Sequence, residues 1–260
     1  MPTRTCRTEY PKISCYLLAS LLVLPVAGTV HAEEILVAVA SNFALPMSKL
    51  VENFETETGH EVELAFGSSG RFYAQILNGA PYQVFLSADQ EKPEQLEESG
   101  LTVNDSRFTY ATGSLVLWSA DEDLVTGGAE VLDGDYRRLA LANPELAPYG
   151  RAATQVLEAL GKLEQLRPRW VQGENIAQAY QFVETGNAEL GFVALSQVIE
   201  AGDLKSGSGW RVPAELHEPI RQDAVLLRRA ENCDACRQFM DYLRSDEVRR
   251  ELQSFGYVNE

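Results

Sequence analysis

Small and hydroxyl-bearing residues stand at four points of the chain where the sequence pattern predicts that a strand gives way to a helix. The four segments are Ala40-Ser41-Asn42, Gly67-Ser68-Ser69-Gly70, Pro148-Tyr149-Gly150 and Glu174-Asn175-Ile176. A helix start leaves backbone N–H groups without intrahelical acceptors and carries about half a positive charge, so it can bind an anion. Serine hydroxyls can also donate, and glycine lets the backbone approach a ligand closely. Ordinary N-capping by Ser and Asn explains any one segment taken singly. Four such segments in one α/β chain favour an oxyanion-binding crevice.

Strand and helix patterns alternate along the segments that would position these four junctions. The predicted strand and helix pairs are residues 35–40 with 43–54, 61–66 with 72–77, and 138–142 with 152–160. The other predicted elements are a helix at 176–183, strands at 190–193 and 223–227, and helices at 235–243 and 248–252. Strands that alternate with helices predict a mainly parallel α/β sheet. Residues 121–135 and 201–213 are rich in Gly, Asp and Ser, and we predict surface loops there.

The N-terminal segment has the layout of a secretory signal peptide. Basic residues precede an apolar run at residues 16–26, and small residues follow it up to Ala32. The run is shorter than the roughly 20 residues that cross a bilayer. We predict cleavage after Ala32, so that residues 1–32 are removed and the remainder is exported to the periplasm. No lipid anchor is expected, because the acceptor cysteine of a lipoprotein would follow the apolar run, whereas Cys6 and Cys15 precede it.

The chain carries a strong negative charge, −16 at pH 7. Nucleic-acid binding depends on clustered Lys and Arg, and an anionic membrane would repel the same surface, so both are excluded as partners. Removal of residues 1–32 would make the charge more negative, because that segment is basic. An anionic ligand would therefore have to be held by local dipoles and not by the field of the whole protein.

Two further patterns could carry enzymatic chemistry in an exported protein. Cys233 and Cys236 have the spacing of a redox pair, but they lie after the last predicted strand. A structural disulfide is the first interpretation there, free thiols the second and redox catalysis the third. The segment around Ser69 lacks the Gly-x-Ser-x-Gly pattern of a hydrolase nucleophile, because Arg71 stands at its last position. The two histidines after residue 32 have no Cys or His partner at metal-ligand spacing. We therefore predict no catalytic residue and no direct metal-ion ligand.

A series of short motifs, in order along the chain after residue 32, carries a family resemblance. The motifs are Val39-Ala40-Ser41-Asn42-Phe43, Phe66-Gly67-Ser68-Ser69-Gly70, Asn78-Gly79-Ala80-Pro81-Tyr82, Phe85-Leu86-Ser87-Ala88-Asp89, Asn143-Pro144, Ala147-Pro148-Tyr149-Gly150, Gly191-Phe192-Val193-Ala194 and Phe255-Gly256-Tyr257. Together they resemble the periplasmic molybdate-binding proteins of ABC transporters.

That resemblance implies an α/β fold of two lobes, the type II periplasmic binding protein fold, with the ligand in the cleft between the lobes. After the signal peptide at 1–32, residues 33–113 would form the first part of lobe 1 and residues 114–217 would form lobe 2. Residues 218–260 would return to lobe 1, so that two crossovers join the lobes. We expect a monomer.

Carried over position by position, the resemblance implies that five residues hold a tetrahedral oxyanion: Ser41, Asn42, Ser69, Tyr149 and Ile176. Ser41 and Ser69 would give hydroxyl and backbone donors from lobe 1. Tyr149 and Ile176 would give backbone N–H groups from lobe 2. Enteric-type members of the family also carry a Tyr that reaches the ligand, but this chain has Ala194 at that position. Either Asn42 replaces the missing donor or the site has one contact fewer.

The function that the resemblance implies is high-affinity capture of molybdate or tungstate in the periplasm, for delivery to the membrane permease of an ABC transporter. No cofactor is implied, and the metal would be held only through its oxygens by the same five residues. Arg71 and Arg151 receive no ligand role and are interpreted as solvated surface cations. A sulfate-binding or other oxyanion-binding protein is the alternative within this fold. An exported enzyme that uses Ser69 or the cysteine pair is the alternative in another class.

Overall fold

The computed structural model describes residues 1–3, 5, 32–200 and 202–258. Almost all of the predicted signal peptide lies outside the described residues, so cleavage after Ala32 stays a prediction. The residues from Ala32 onward belong to one compact unit. Within the described ranges, no helix combines the length and the hydrophobicity that crossing a bilayer requires.

Five strands form the first sheet, in the spatial order β2 (Glu61–Gly67), β1 (Glu34–Ala40), β3 (Val84–Leu86), β12 (Ile220–Leu226) and β4 (Phe108–Gly113). Strand β1 runs parallel to β2 and β3, whereas β12 is antiparallel to β3 and β4. The helices of this part are α1 (Ala44–Thr58), α2 (Ser69–Leu77), α3 (Glu91–Glu98), α8 (Asp234–Leu243) and α9 (Asp246–Ser254). In α1, the side chains of Met47, Leu50, Val51 and Phe54 recur at helical spacing and are buried. One face of the helix therefore packs into the core.

Five more strands form the second sheet, in the order β11 (Ser208–Arg211), β5 (Leu115–Ser119), β8 (Leu190–Ala194), β6 (Leu139–Ala142) and β7 (Trp170–Gly173). Strand β6 is parallel to β7 and β8, and β5 is antiparallel to β8 and β11. The helices of this part are α4 (Pro148–Ala159), α5 (Leu163–Leu166), α6 (Ile176–Glu184) and α7 (Leu195–Val198). Strands β9 (Ile199–Glu200) and β10 (Asp203–Leu204) form a separate two-stranded ribbon.

Each sheet has its own hydrophobic core. Phe54 and Phe239 belong to the cluster on one face of the first sheet, and Phe85 belongs to a smaller cluster on the other face. Trp118 and Phe192 belong to the cluster of the second sheet. The chain passes between the two sheets twice, from β4 to β5 and from β11 to β12. The result is the two-lobed α/β fold that the resemblance implied.

Two predictions about the fold are wrong. The sheets are mixed and not mainly parallel, since each contains two antiparallel pairings. The strands responsible, β4, β5, β11 and β12, are those that lead into and out of the crossovers, where the chain does not return through a helix. Residues 201–213 are not only a loop, because they contain β10 and β11. Strand β11 pairs with β5, and this pairing overrides its Gly- and Ser-rich composition.

The cysteine pair at the start of α8 forms a disulfide, Cys233–Cys236. Cys233 is the N-cap residue, and its Sγ accepts a hydrogen bond from the N–H of Cys236 at 3.1 Å. The Oε2 of Glu33, next to β1, accepts from the N–H of Ala235 at 3.4 Å. The structural disulfide was the first interpretation of this pair, and it joins the N-cap to the third residue of α8.

Candidate anion-binding site

The structure brings all five predicted ligand residues to one small cavity, whose volume is about 10 Å³. The cavity lies where β1, β2, β6 and β7 end and where the following helical segments begin. Its lining residues are Ala40, Ser41, Asn42, Gly67, Ser68, Ser69, Ala88, Ala147, Pro148, Tyr149, Asn175 and Ile176. Residues of both lobes line it, and among the described residues no Asp, Glu, Lys, Arg or His does so. The lining therefore offers neutral hydrogen-bond donors.

Ordinary capping accounts for only one of the four junctions. At α6, the side chain of Asn175 accepts a hydrogen bond from the N–H of Gln178, which is an N-cap. The 3₁₀ turn at Ser41–Phe43, α2 and α4 have no side-chain cap within the described structure. Backbone N–H groups at those three starts that no protein carbonyl accepts are left for water or a ligand. The capping interpretation is thus correct for Asn175 and does not explain the other junctions.

At the end of β1, Ser41 and Asn42 begin a 3₁₀ turn that leads directly into α1. Both residues are buried. The Nδ2 of Asn42 donates to Gln222 Oε1 at 2.8 Å and to the hydroxyl of Tyr257 at 3.0 Å. Both hydrogens of that amide are engaged, so Asn42 can offer an anion its backbone N–H but not its side-chain N–H. The side chain of Asn42 therefore does not replace the missing tyrosine donor.

At the end of β2, Ser69 is the first residue of α2 and is only 1% exposed. Its Oγ accepts a hydrogen bond from the N–H of Ala88 at 2.9 Å. The hydroxyl hydrogen of Ser69 is then free to donate into the cavity, which is the polarity that an anion requires. The N–H of Gly70 is not available, because it donates to the carbonyl of Leu146 in the other lobe at 2.9 Å.

Ser68 is a cavity residue that sequence reasoning did not select. Its Oγ is buried and has no hydrogen-bond partner among the described residues. A buried hydroxyl without a partner costs about 1 to 3 kcal/mol, so a ligand oxygen or a water at this position would recover that cost. The only sequence signal was its place beside Ser69 in the Gly67-Ser68-Ser69-Gly70 motif.

In the second lobe, the geometry of α4 leaves the N–H of Tyr149 as a donor. Pro148, the first residue of the helix, has no N–H. The N–H of Gly150 is bonded to the carbonyl of Ala147 at 2.9 Å. A Cβ on Gly150 would lie 2.3 Å from the carbonyl oxygen of Ala142, so only glycine lets α4 start this close to the end of β6.

The missing tyrosine position, Ala194, is fully buried at the end of β8. Its N–H donates to Gln197 Oε1 at 2.9 Å, and Gln197 Nε2 donates to the carbonyl of Ile176 at 3.3 Å. Gln197 therefore connects β8 to the first residue of α6. The side chain of Gln197 thus fixes the position of Ile176, a predicted ligand residue, but it does not line the cavity.

Arg71 and Arg151 are solvent-exposed, as interpreted, but each also forms an ion pair with the opposite lobe, which the sequence did not predict. Arg71 Nη1 donates to both oxygens of Glu174, at 2.9 and 3.0 Å. Arg151 donates to Glu91 at 2.8 Å and to Asp89 at 3.1 Å. The hydrogen bond from Arg151, followed by that from Lys92, lowers the pKa of Glu91. These pairs lie outside the cavity and neutralise the charges of both arginines.

Three buried phenols stand behind the cavity. Burial raises the pKa of Tyr110 and of Tyr149 well above the usual value, and it raises the pKa of Tyr257 to about 12. All three hydroxyls are therefore neutral near pH 7. They therefore add no negative charge next to the cavity.

The chain resembles known solute-binding proteins over nearly all of its described length. The model of the family "Bacterial extracellular solute-binding protein" matches residues 35–258. The Molybdate-binding protein ModA of Azotobacter vinelandii is 51% identical over 232 residues, which cover 89% of this chain and 92% of that protein. The Molybdate-binding protein ModA of Rhodobacter capsulatus is 45% identical over 254 residues, covering 97% of this chain and all of that protein.

A solved structure has the same fold. The structure of an Azotobacter vinelandii periplasmic molybdate-binding protein superimposes with a TM-score of 0.84 at 44% identity, and the match covers 87% of this chain and 99% of that one. The sulfate-binding protein SubI of Mycobacterium tuberculosis, at 11% identity and a TM-score of 0.69, shares the fold alone. Sequence and architecture agree, and this chain belongs to the bacterial extracellular solute-binding protein family.

Proposed function

We propose that this protein captures molybdate, or tungstate, in the cavity between its lobes and delivers it to the membrane permease of an ABC transporter. The observation that carries the proposal is the convergence of four strand ends and helix starts, two from each lobe, on one cavity lined by neutral donors. The names of the relatives at 51% and 45% identity favour molybdate as the ligand. The proposed ligand residues are Ser41, Asn42, Ser69, Tyr149 and Ile176, with the hydroxyl of Ser68 as an additional donor.

The organisation of the chain follows from the same proposal. Residues 1–32 are a cleaved signal peptide, and the mature protein works in the periplasm as a monomer. Residues 33–113 and 218–260 form lobe 1, and residues 114–217 form lobe 2. In support, the strands of the two sheets fall on the two sides of these bounds, and the solved relative is described as periplasmic.

The donor set supports binding without catalysis. A serine nucleophile needs a base within hydrogen-bond reach, but the Oγ of Ser69 contacts the N–H of Ala88. No side chain that could act as a base is among the described residues that line the cavity. The sulfur atoms of the cysteine pair are joined to each other beside α8, apart from the cavity lining.

A cavity of this kind prefers fully deprotonated oxyanions. Molybdate and tungstate only accept hydrogen bonds, so N–H and O–H groups can satisfy every oxygen. Phosphate near neutral pH usually keeps a proton, and that proton requires an acceptor. The nearest candidate in sequence, Glu174, is not in the lining and is held by Arg71 instead. Sulfate passes the same donor test as molybdate, so only the size of the cavity can discriminate against it.

The test is calorimetric titration of the ligand-stripped mature protein with molybdate, tungstate, sulfate and phosphate. We expect heat from molybdate and tungstate, and binding of phosphate that is weaker by at least an order of magnitude. Ser41→Ala should weaken molybdate binding about tenfold to a hundredfold, because a hydrogen bond to a charged group contributes about 1.5 to 3 kcal/mol. No heat from any of the four anions would refute the proposed function. Equal affinities for phosphate and molybdate would show that the cavity contains an acceptor.

A further inference from the structure

Tyr149 has two ends that contact different parts of the molecule. Its backbone lines the cavity at the start of α4 in lobe 2. Its side chain is 2% exposed and reaches lobe 1, where its hydroxyl accepts a hydrogen bond from Gln222 Nε2 at 3.3 Å. Gln222 lies on β12, so one residue connects the cavity to the opposite lobe.

The phenol of Tyr149 lies directly against Gly113, the last residue of β4. A Cβ built on Gly113 would be 2.0 Å from the hydroxyl oxygen of Tyr149 and 3.0 Å from its Cζ, far inside contact distance. Gly113 is not among the glycines with positive φ. Its φ is therefore one that other residues can adopt. What requires glycine here is space, which is taken by the phenol of Tyr149 and by Gln222 Nε2, an atom that would lie 2.6 Å from the Cβ.

Gln222 joins Tyr149 to the lobe 1 side of the cavity. The side chain of Gln222 is completely buried. Its Oε1 accepts from Asn42 Nδ2 at 2.8 Å and from the hydroxyl of Tyr110 at 3.0 Å, while its Nε2 donates to Tyr149. Asn42 and Tyr149 are cavity residues of different lobes. A single glutamine therefore holds both of them from behind the site.

We propose that the side chain of Tyr149 is a closure pin, which docks on Gly113 and Gln222 when the lobes close and thereby controls how long the anion is held. The proposal rests on the proposed function, because it concerns the same cavity. Any opening that moves α4 away from β4 and β12 separates the phenol from Gly113 and withdraws the N–H of Tyr149 from the cavity at the same time. Contacts made only in the closed state favour closure, and ligand release requires that they break.

The first test compares Tyr149→Phe with Tyr110→Phe. Both changes remove one hydroxyl from Gln222, but Tyr110 makes its contacts to β12 and to the carbonyl of Ser87 within lobe 1. Tyr149→Phe keeps the backbone N–H and the ring. We expect it to speed molybdate dissociation about threefold to tenfold, the effect of one neutral hydrogen bond, with little change in the association rate. Tyr110→Phe should change both rates less than about twofold, because it breaks no contact between the lobes. Equal effects of the two variants on dissociation, or no effect of Tyr149→Phe, would overturn the proposal.

The second test introduces Gly113→Ala, alone and together with Tyr149→Phe. The added methyl group would lie 2.0 Å from the hydroxyl oxygen of Tyr149 and 2.6 Å from Gln222 Nε2. The single variant should therefore lose at least about tenfold in molybdate affinity. It should also melt below wild type without ligand, because the contact with Gln222 lies within lobe 1. The ring introduced by Tyr149→Phe lacks the oxygen that makes the shortest of these clashes, whereas the clash with Gln222 remains. The double variant should therefore bind more tightly than Gly113→Ala alone while it melts at a similar temperature without ligand. Small-angle scattering should show the compact liganded form restored in the double variant. Wild-type affinity of Gly113→Ala, or losses that simply add in the double variant, would exclude the pin.

The wild-type titration separates the two ideas. If the wild-type protein fails to bind molybdate, the proposed function is refuted. If it binds and neither variant series behaves as described, the function stands and the pin is refuted. Should Gly113→Ala fail to fold, the comparison of Tyr149→Phe with Tyr110→Phe remains decisive.

Discussion

Ser69 and Ser41 both offer a hydroxyl to the cavity, yet the structure predicts that their removal has different consequences. The Oγ of Ser69 accepts the N–H of Ala88, and both residues are almost completely buried. The described contacts give the Oγ of Ser41 no such role. Ser69→Ala therefore removes a protein contact as well as a ligand donor, whereas Ser41→Ala removes the ligand donor alone.

The expected magnitudes follow from these contacts. Each hydroxyl should contribute about 1.5 to 3 kcal/mol to binding, as a hydrogen bond to a charged group, so each variant should lose one to two decades of affinity. Ser69→Ala also leaves the N–H of Ala88 without its acceptor, which costs about 1 to 3 kcal/mol in the ligand-free protein. In a protein of this size, each kcal/mol shifts the melting temperature by roughly 2–4 °C.

The assay is thermal unfolding of the two variants without ligand, combined with titration by molybdate. The melting temperature of Ser69→Ala should lie below that of wild type, whereas Ser41→Ala should have the melting temperature of wild type. Ser69→Gly extends the comparison, since it also exposes the N–H of Ala88 to the cavity. If Ser69→Ala and Ser41→Ala have the same melting temperature, the N–H of Ala88 has found another partner and the reasoning fails. If neither loses affinity for molybdate, the hydroxyls do not contact the anion.

Three more outcomes follow from the described contacts. Arg151→Gln should weaken molybdate binding about fivefold at low salt, since a half-exposed ion pair between the lobes contributes about 1 kcal/mol. The difference in affinity from wild type should shrink as sodium chloride is added. A difference that does not depend on salt would exclude the ion pair as its cause. Burial raises the pKa of Tyr149 above the value in the unfolded chain and that of Tyr257 to about 12. The stability that these two groups contribute is therefore complete below about pH 10 and should fall as the pH rises towards 12. Urea unfolding at a series of pH values measures this fall. Replacement of both Cys233 and Cys236 by Ser should cost about 2 kcal/mol of stability for so short a loop and leave the affinity for molybdate unchanged; a large loss of affinity would contradict this assignment.

The sequence predicted the strands and helices that carry the site, but not the residues at which two of the helices begin. Helical periodicity placed the starts of α2 and α4 at Phe72 and Ala152, whereas the helices begin at Ser69 and Pro148. The first turn of each helix lines the cavity, and Ser69 and Gly70 in α2 and Pro148 and Gly150 in α4 add no apolar side chain at helical spacing. The buried Tyr149 alone does not extend the pattern. The apolar periodicity that identifies each helix therefore does not show that the helix begins one turn earlier, at the residues that line the cavity. The short motifs located these turns because their residue types suit anion contact.

Contacts between distant segments could not be predicted from the pattern. Gln222 meets Asn42, 180 residues earlier, only because β12 returns beside β4 in an antiparallel register. No local property of Gln222 distinguishes it from a solvent-exposed glutamine on a strand. The same applies to Arg71 and Arg151, whose partners lie in the opposite lobe and become neighbours only through the packing of the two lobes.

The negative charge of the chain limits how a dianion can be held. With a net charge of −16, the field of the whole protein repels the ligand. Arg71 and Arg151, which follow two of the motifs, are already neutralised by Glu174, Glu91 and Asp89. The remaining attraction comes from backbone dipoles. A helix start carries at most about half a positive charge, so the starts of α2, α4 and α6 together offer partial positive charge to a tetrahedral dianion. Fixed dipoles of this kind do not titrate near pH 7, and they favour the anion whose charge is complete there over one that still holds a proton.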